Sequence, residues 1–342
     1  MRILISSYRY HPDVGGVETS SRLLARQFVR AHHDVVLVTA TAQGETEDAG
    51  VTVERDPSIL RLLALVRWSD VFFHNNVSLR TALPLLWVQR PWIVTTQTWL
   101  SGPDGFSHWN GWLKRAALRR ANNVYVSGAV ERHIQMPGVR IPNPYDAEIF
   151  REIPGCLRHL DFVAVGRLVS DKGFDSVIKA LALVHERGLR ATLSIVGRGP
   201  EERRLRLMVA ELGIGPYVLF RGEIQGHELA VELNRHRWMV VPSRWAEPFG
   251  IVALEGIACG CGIIGSEQGG LAEAIGPCGV TFPNGDVARL ADIMADQLAD
   301  PDRLRLYRSR APGHLAAHAV ESVADRYLEM FGMLCPVPAS TE

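Results

Sequence analysis

Short apolar runs alternate along this sequence with stretches whose apolar residues recur at helical spacing, and the whole alternation restarts midway. In the first half the runs fall at 2–6, 34–39, 51–54, 70–73, 92–96 and 123–127, with helical stretches at 16–30, 78–88 and 107–121. The runs are apolar on successive residues, so they predict strands buried on both faces, as in a parallel sheet covered by helices. Right-handed crossovers leave few topologies for such a chain, and they place ligands at the carboxyl ends of the strands. The second half restarts with runs at 160–166, 192–196, 217–221, 238–242, 262–265 and 279–282. From Asp286 the pattern is helical, at 287–298, 302–309 and 320–333, with Pro312-Gly313 breaking it. Pro142, Pro144 and Pro154 mark the join between the halves. The expectation is an α/β chain of two doubly wound parallel-sheet domains, 1–150 and 151–316, with a last helical segment at 317–335 and a disordered tail from Pro336.

A chain of 342 residues can bury two cores. Its 37 Lys and Arg balance 37 Asp and Glu, so the overall charge argues against a nucleic-acid partner. The five Cys are odd in number and scattered, and Cys259 and Cys261 lack His partners, which supports neither a disulfide framework nor a zinc site. A reduced, cytoplasmic setting is expected. The start has no basic and apolar signal regions, and no apolar run reaches about 18 residues, so the chain is not expected to enter or cross a membrane by itself.

The chemistry concentrates in 242–270, PSRWAEPFGIVALEGIACGCGIIGSEQGG, where Glu247 and Glu255 stand eight positions apart. A helix starting near Phe249 would give Phe249, Gly250 and Ile251 backbone N–H groups able to hold a phosphate. Glu255 sits in an otherwise apolar IVALEGIACG run, and a carboxylate there must find partners. Elsewhere, Gly15 and Gly16 follow the first run in a loop that lacks the dinucleotide G-x-G-x-x-G spacing, which disfavours a nicotinamide cofactor but permits close backbone approach to a ligand. His74, Gln97 and Ser127 stand at the ends of later runs and point to one crevice. His74 is a catalytic candidate, although a lone histidine here reads more often as a satisfied structural one. Arg167 and Lys172, flanking a strand end, can converge on one anion. Gly197 and Glu223 occupy two further strand-end loops. No D-x-D stands in a candidate site loop, so no metal is expected.

Glu247 with Pro248-Phe249-Gly250 and Glu255, then Gly269-Gly270-Leu271-Ala272-Glu273, resemble the donor motifs of the retaining GT-B glycosyltransferases of family four. Gly15-Gly16, Pro142-Asn143 with Asp146 and Phe150, and Gly166-Arg167-Leu168 with Lys172-Gly173 extend the likeness over nearly the whole chain. The resemblance implies two Rossmann-like domains facing a central cleft, an acceptor on the first, a nucleotide sugar on the second, and a last helix returning to the first. It implies that Glu247 contacts the transferred sugar, Glu255 the ribose, Arg167 and Lys172 the diphosphate, and the Glu223 loop the base. The chain departs at Gln97, where many members carry His. Gln can bond a hydroxyl but cannot carry a proton near neutral pH.

The expected activity is that of a metal-independent hexosyltransferase, moving a sugar with retention from a nucleotide diphosphate donor, UDP-linked before GDP-linked, to an acceptor hydroxyl. No cofactor is expected beyond that substrate. A nucleotide-sugar 2-epimerase and a silent sugar-nucleotide-binding protein are the alternatives. A glycosidase fits less well, since it needs two facing carboxylates across the bond. The acceptor is a sugar, a small molecule or a lipid-linked glycan. The stretch WNGWLKRAALRR groups Trp109, Trp112 and Leu113 with Lys114, Arg115, Arg119 and Arg120. It reads either as a solvated basic face or as a peripheral contact with the inner face of an anionic membrane.

Overall fold

The computed structural model describes residues 1–13, 15–100 and 108–335. It divides the chain into two compact units, Met1–Pro144 joined by the segment from His318, and Tyr145–Ala317. The tail from Pro336 and residue Val14 of the glycine loop lie outside the described residues.

The first unit runs β1 (Arg2–Ser6), α1 (Gly16–Arg30), β2 (Asp34–Thr39), β3 (Glu47–Asp48), β4 (Val51–Arg55), α2 (Ile59–Trp68), β5 (Val71–Asn75), α3 (Leu79–Ala82), a 3-10 turn (Leu83–Leu86), β6 (Trp92–Thr96), α4 (His108–Leu118), β7 (Asn122–Tyr125), α5 (Gly128–Ile134) and β8 (Gly138–Arg140). Its sheet order is β3-β4-β2-β1-β5-β6-β7-β8, parallel except for β3 against β4. Side chains alternate across each strand. Ile3 and Ile5 therefore join Leu24 and Phe28 of α1 on one face, while Leu4 and Phe72 join Leu62, Leu65 and Val66 of α2 on the other.

The second unit runs β9 (Leu160–Val165), α6 (Phe174–Glu186), β10 (Leu193–Val196), α7 (Glu202–Glu211), β11 (Val218–Gly222), α8 (Gly226–Asn234), β12 (His236–Val241), α9 (Ile251–Ala258), β13 (Gly262–Ser266), α10 (Leu271–Ile275), β14 (Gly279–Phe282), α11 (Val287–Ala299) and α12 (Pro301–Ala316). All six strands are parallel, in the order β11-β10-β9-β12-β13-β14. The chain then returns, and α13 (Val320–Leu334) packs beside α1 with Val323, Tyr327 and Phe331 in the first unit's core. Both units are thus α/β, each built on a sheet that is parallel apart from β3.

Four helices escape the periodicity, α2, α5, α8 and the short α10. In α2, ILRLLALVRW is apolar almost all round, so no stripe marks it; Ser58 starts it, its Oγ accepting from the Arg61 N–H at 3.2 Å. The expected break at Pro312 does not occur, because α12 continues to Ala316. The last turn is anchored from outside, by a 2.8 Å hydrogen bond between His314 Nε2 and the Ala274 carbonyl, which offsets the backbone bond that proline removes. The helix expected near Phe249 starts at Ile251, with Gly250 as its cap.

Candidate functional site

In the second unit the strand order reverses between β9 and β12: β9 leads outward to β10 and β11 on one side, and β12 leads to β13 and β14 on the other. Ligands of doubly wound sheets bind beyond the strand ends at such a point. Arg167 and Lys172 follow β9, Ser243 and Glu247 follow β12, and Gly197 and Glu223 follow β10 and β11 at the same edge.

Two backbone approaches draw the loops after β9, β12 and β13 together. The turn carrying Lys172 ends in Gly173, whose φ is 68°, and a Cβ there would lie 2.0 Å from the Pro242 carbonyl oxygen. With the loops so close, the Asp171 carbonyl accepts from the N–H groups of Arg244 at 2.8 Å and Trp245 at 3.2 Å, and Arg244 Nη2 donates to Asp175 Oδ2 at 2.6 Å. Lys172 Nζ then reaches Glu247 Oε1 at 2.5 Å, and Ser243 Oγ donates to the same oxygen at 2.7 Å. The second approach is at Gly269, with φ 93°, where a Cβ would fall 2.2 Å from the Glu247 carbonyl oxygen. The Gly270 N–H bonds that oxygen at 2.7 Å, and Asn284 ties the Ser243 carbonyl to the Gln268 N–H. Glu247 is thus fixed at both backbone and carboxylate. Sequence reasoning found Glu247 and Lys172 but missed Ser243 and Asn284, whose local sequence gives no signal of a partner 41 residues away.

Arg167 is exposed and makes no ion pair among the described residues, and Lys172 is paired with Glu247. Gly197 closes on the Gly222 carbonyl through its N–H at 2.7 Å, and Glu223 is exposed, accepting from Gln225 Nε2 at 2.9 Å. Phe249 is buried, Gly250 caps α9 and Ile251 opens it; the Ala253 N–H bonds the Gly250 carbonyl at 3.0 Å, which leaves the N–H groups of Ile251 and Val252 at the start of the helix. Glu255 lies on α9 between buried Leu254 and Gly256; burial, with Asp146 adding repulsion, pushes its carboxyl up to about 7.

In the first unit Gly15 caps α1 and Gly16 is its first residue, beside the end of β1. His74 is withdrawn as a catalytic candidate. Its residue is fully buried, Nδ1 accepts from Trp92 Nε1–H at 3.1 Å, Nε2 faces Thr81 Oγ1 at 3.4 Å, and Phe72 stacks edge-on. Burial lowers its pKa to about 3, so the ring is neutral and occupied in the core. Gln97 is also buried, and its Nε2 donates to Asn75 Oδ1 and Asn143 Oδ1, both at 2.8 Å, while its Oε1 accepts from Asn143 Nδ2 at 2.8 Å. Asn75 in turn donates to Ser21 Oγ of α1 at 2.7 Å. Both amide hydrogens of Gln97 are therefore used inside the protein. Ser127 caps α5, its Oγ accepting from the Val130 N–H at 3.2 Å.

On α4, Trp112 and Leu113 are exposed, as are Arg119 and Arg120 just after it; the side chain of Trp109 lies outside the described residues. No helix among the described residues is long and apolar enough to cross a membrane, and none of them form a cluster of three or more His, Cys, Asp or Glu able to hold a metal ion.

Residues 148–313 match the family model of glycosyl transferases group 1. The chain is 27% identical to a GDP-mannose-dependent alpha-(1-6)-phosphatidylinositol monomannoside mannosyltransferase of Mycolicibacterium smegmatis, over 88% of this chain and 90% of that protein. It is 34% identical to D-inositol 3-phosphate glycosyltransferase 1 of Catenulispora acidiphila, over 61% of this chain and 53% of that one. Among solved structures it is similar to HepE of Anabaena in complex with UDP, with a TM-score of 0.84 at 20% identity, covering 98% of this chain and 100% of that one. Sucrose-phosphate synthase of Thermosynechococcus elongatus gives a TM-score of 0.80, also at 20% identity, covering 97% and 98%. The match to glycosyl transferases group 1 spans most of the second unit, and the likeness to the solved structures gives the chain the GT-B fold.

Proposed function

We propose that the chain is a retaining, metal-independent hexosyltransferase that takes its sugar from a nucleotide diphosphate donor held by the second unit. The observation that carries this reading is the Lys172–Glu247 pair, fixed beyond the carboxyl ends of β9 and β12 where a phosphate and a sugar can be held side by side. Lys172, Arg167 and the N-terminus of α9 supply positive potential for a leaving diphosphate, a stabilisation worth about 2.7–4 kcal/mol for one well-placed donor. Glu247, held by Ser243 and Lys172, offers carboxylate oxygens to sugar hydroxyls, and Glu255 to a ribose. Gly197 and Glu223 line the base side, and Gly15 and Gly16 are assigned to the donor as well. The acceptor belongs to the first unit, near Ser127. Gln97 acts there through Asn75 and Asn143, since its amide hydrogens are engaged.

UDP is placed before GDP as the base. The similarity to a structure solved with UDP supports the first, and the GDP-mannose-dependent relative keeps the second in play. The same relative, named for a phosphatidylinositol mannoside, supports a lipid-linked acceptor, and with such an acceptor goes the reading of a cytoplasmic enzyme in peripheral contact with an anionic membrane.

A thermal-shift screen over uridine, guanosine and adenosine diphosphate sugars, with and without chelator, tests the donor and the metal independence. Lys172→Ala and Glu255→Ala are expected to weaken donor binding at least tenfold, since a charge-assisted hydrogen bond contributes about 1.5–3 kcal/mol. Glu247→Ala is expected to lower turnover with little change in donor affinity. Unchanged affinity and rate in all three variants would refute the assignment. Retention is read from the anomeric configuration of the product.

A further inference from the structure

The helical layer of the first unit formed by α2, α3, the 3-10 turn and α4 has an unusual make-up. α2 packs on the sheet face that carries Leu4 and Phe72, and the right-handed crossovers from β5 to β6 and β6 to β7 put α3 and α4 on that face too. α3 and α4 touch. The outer side of this layer exposes large apolar residues, with Leu60 76%, Leu86 63%, Trp87 66% and Trp112 63% exposed. Between α2 and the 3-10 turn an apolar groove of about 330 Å³ is lined by Ile59, Leu60, Leu63, Pro84 and Trp87, with Arg67 at its side. Soluble surfaces scatter exposed apolar residues; a contiguous set marks a contact.

Charge identifies the partner. From Pro57 to Ala121 the sequence contains eight Lys and Arg but only two acids, Asp70 and Asp104. Asp70 is bonded to Arg2, and Asp104 lies outside the described residues. Arg61 and Arg80 are paired to Glu54 and Asp56, whereas Arg67, Lys114, Arg119 and Arg120 have no carboxylate partner among the described residues. A second copy docked on this layer by two-fold symmetry would set like charges against each other, which disfavours self-association. Exposed Trp and Leu interleaved with unpaired cations instead match an anionic bilayer, where aromatic rings sit at the headgroup level and cations meet lipid phosphates.

We propose that α2, the 3-10 turn and α4 form one bilayer-docking surface, with the Leu60–Trp87 groove entering the acyl boundary and Arg67, Lys114, Arg119 and Arg120 meeting anionic headgroups. The inference deepens the transferase reading and rests on it for its purpose, which is to bring a lipid-linked acceptor to the enzyme. The first turn of α2 follows the carboxyl end of β4, so the insertion point lies on the ligand edge of this sheet.

The test is flotation of the full chain with phosphatidylcholine vesicles, with and without phosphatidylglycerol, at low and high salt. Binding is expected only with phosphatidylglycerol and should fall steeply with salt. Each of Arg67→Gln, Lys114→Gln, Arg119→Gln and Arg120→Gln is expected to lower partitioning about fivefold near an anionic surface. Leu60→Ser with Trp87→Ser is expected to abolish what binding remains at high salt; both side chains are exposed, so the variant should fold. Wild-type protein that fails to float, or variants that float equally well, would overturn the proposal. So would a wild-type dimer that the Leu60→Ser/Trp87→Ser variant converts to monomer. Donor binding, measured on the same proteins without vesicles, should be unchanged in every variant, so a failure of the membrane proposal is separable from a failure of the transferase reading.

Discussion

Glu255 carries a carboxyl inside an apolar helix turn, and its pKa near 7 has a measurable consequence for the protein without a bound nucleotide. A carboxyl raised on folding binds more protons in the native state than in the unfolded one between its unfolded value, about 4.3, and its folded value. Stability therefore falls as pH rises through that window and levels off above about 7. Glu255→Gln should remove the fall, so melting temperatures of wild type and variant should converge near pH 5 and separate near pH 8, with the variant higher. Parallel curves would argue against the burial. A Glu amid IVALEGIACG has nowhere polar to go, so this burial was legible in the sequence. His74 was legible as a structural histidine, but nothing local marked Gln97, because whether a strand-end side chain turns into the core depends on distant neighbours such as Asn75 and Asn143. Gln97→Leu should leave Asn75 and Asn143 with unmatched buried groups, at about 1–3 kcal/mol each. Denaturant unfolding should show that loss; an unchanged midpoint would mean that the network carries little.

Strands were legible as elements because parallel-sheet runs are apolar on successive residues, short, and bounded by turn residues. Helices were legible only where one face stays polar. α1 and α6 have such a face, whereas α2 does not, and α12 continues through Pro312 because a contact between His314 and the Ala274 carbonyl, invisible in the local sequence, holds its end. The loops were legible as glycine punctuation, but not in what the glycines permit. Gly269 shows the difference, since its left-handed backbone and its closeness to the Glu247 carbonyl leave no room for a side chain. Gly269→Ala is expected to push the Glu247 backbone aside. Displacing a catalytic group by about 1 Å can cost on the order of 10²-fold in rate. Turnover should fall by about that factor while donor affinity, which the proposed function assigns to Lys172 and Glu255, changes only severalfold; equal losses in both would mean that the whole loop had collapsed.

The whole molecule is two units joined twice, since the chain leaves the first at Pro144 and re-enters it at His318. The returning helix contributes to the core itself. Val323, Ala324, Tyr327 and Phe331 of α13 are buried against Phe28 of α1 and Phe73 of β5, and the Tyr327 hydroxyl bonds Thr95 Oγ1 of β6 at 2.7 Å. Phe331 alone makes edge or tilted ring contacts with Phe28, Phe73 and Tyr327. Truncating a buried Phe to Ala typically costs about 3–5 kcal/mol, a large part of the stability of an ordinary domain. Phe331→Ala should therefore weaken the first unit selectively, although the substitution lies near the end of the described chain. Hydrogen exchange read by peptide should show faster exchange across β1, β5 and β6, with β9 and β12 of the second unit, whose core includes no residue of α13, keeping wild-type protection. Faster exchange spread evenly over both units would show that they unfold as one cooperative body, and protection unchanged in β1 and β5 would show that α13 is dispensable to the core.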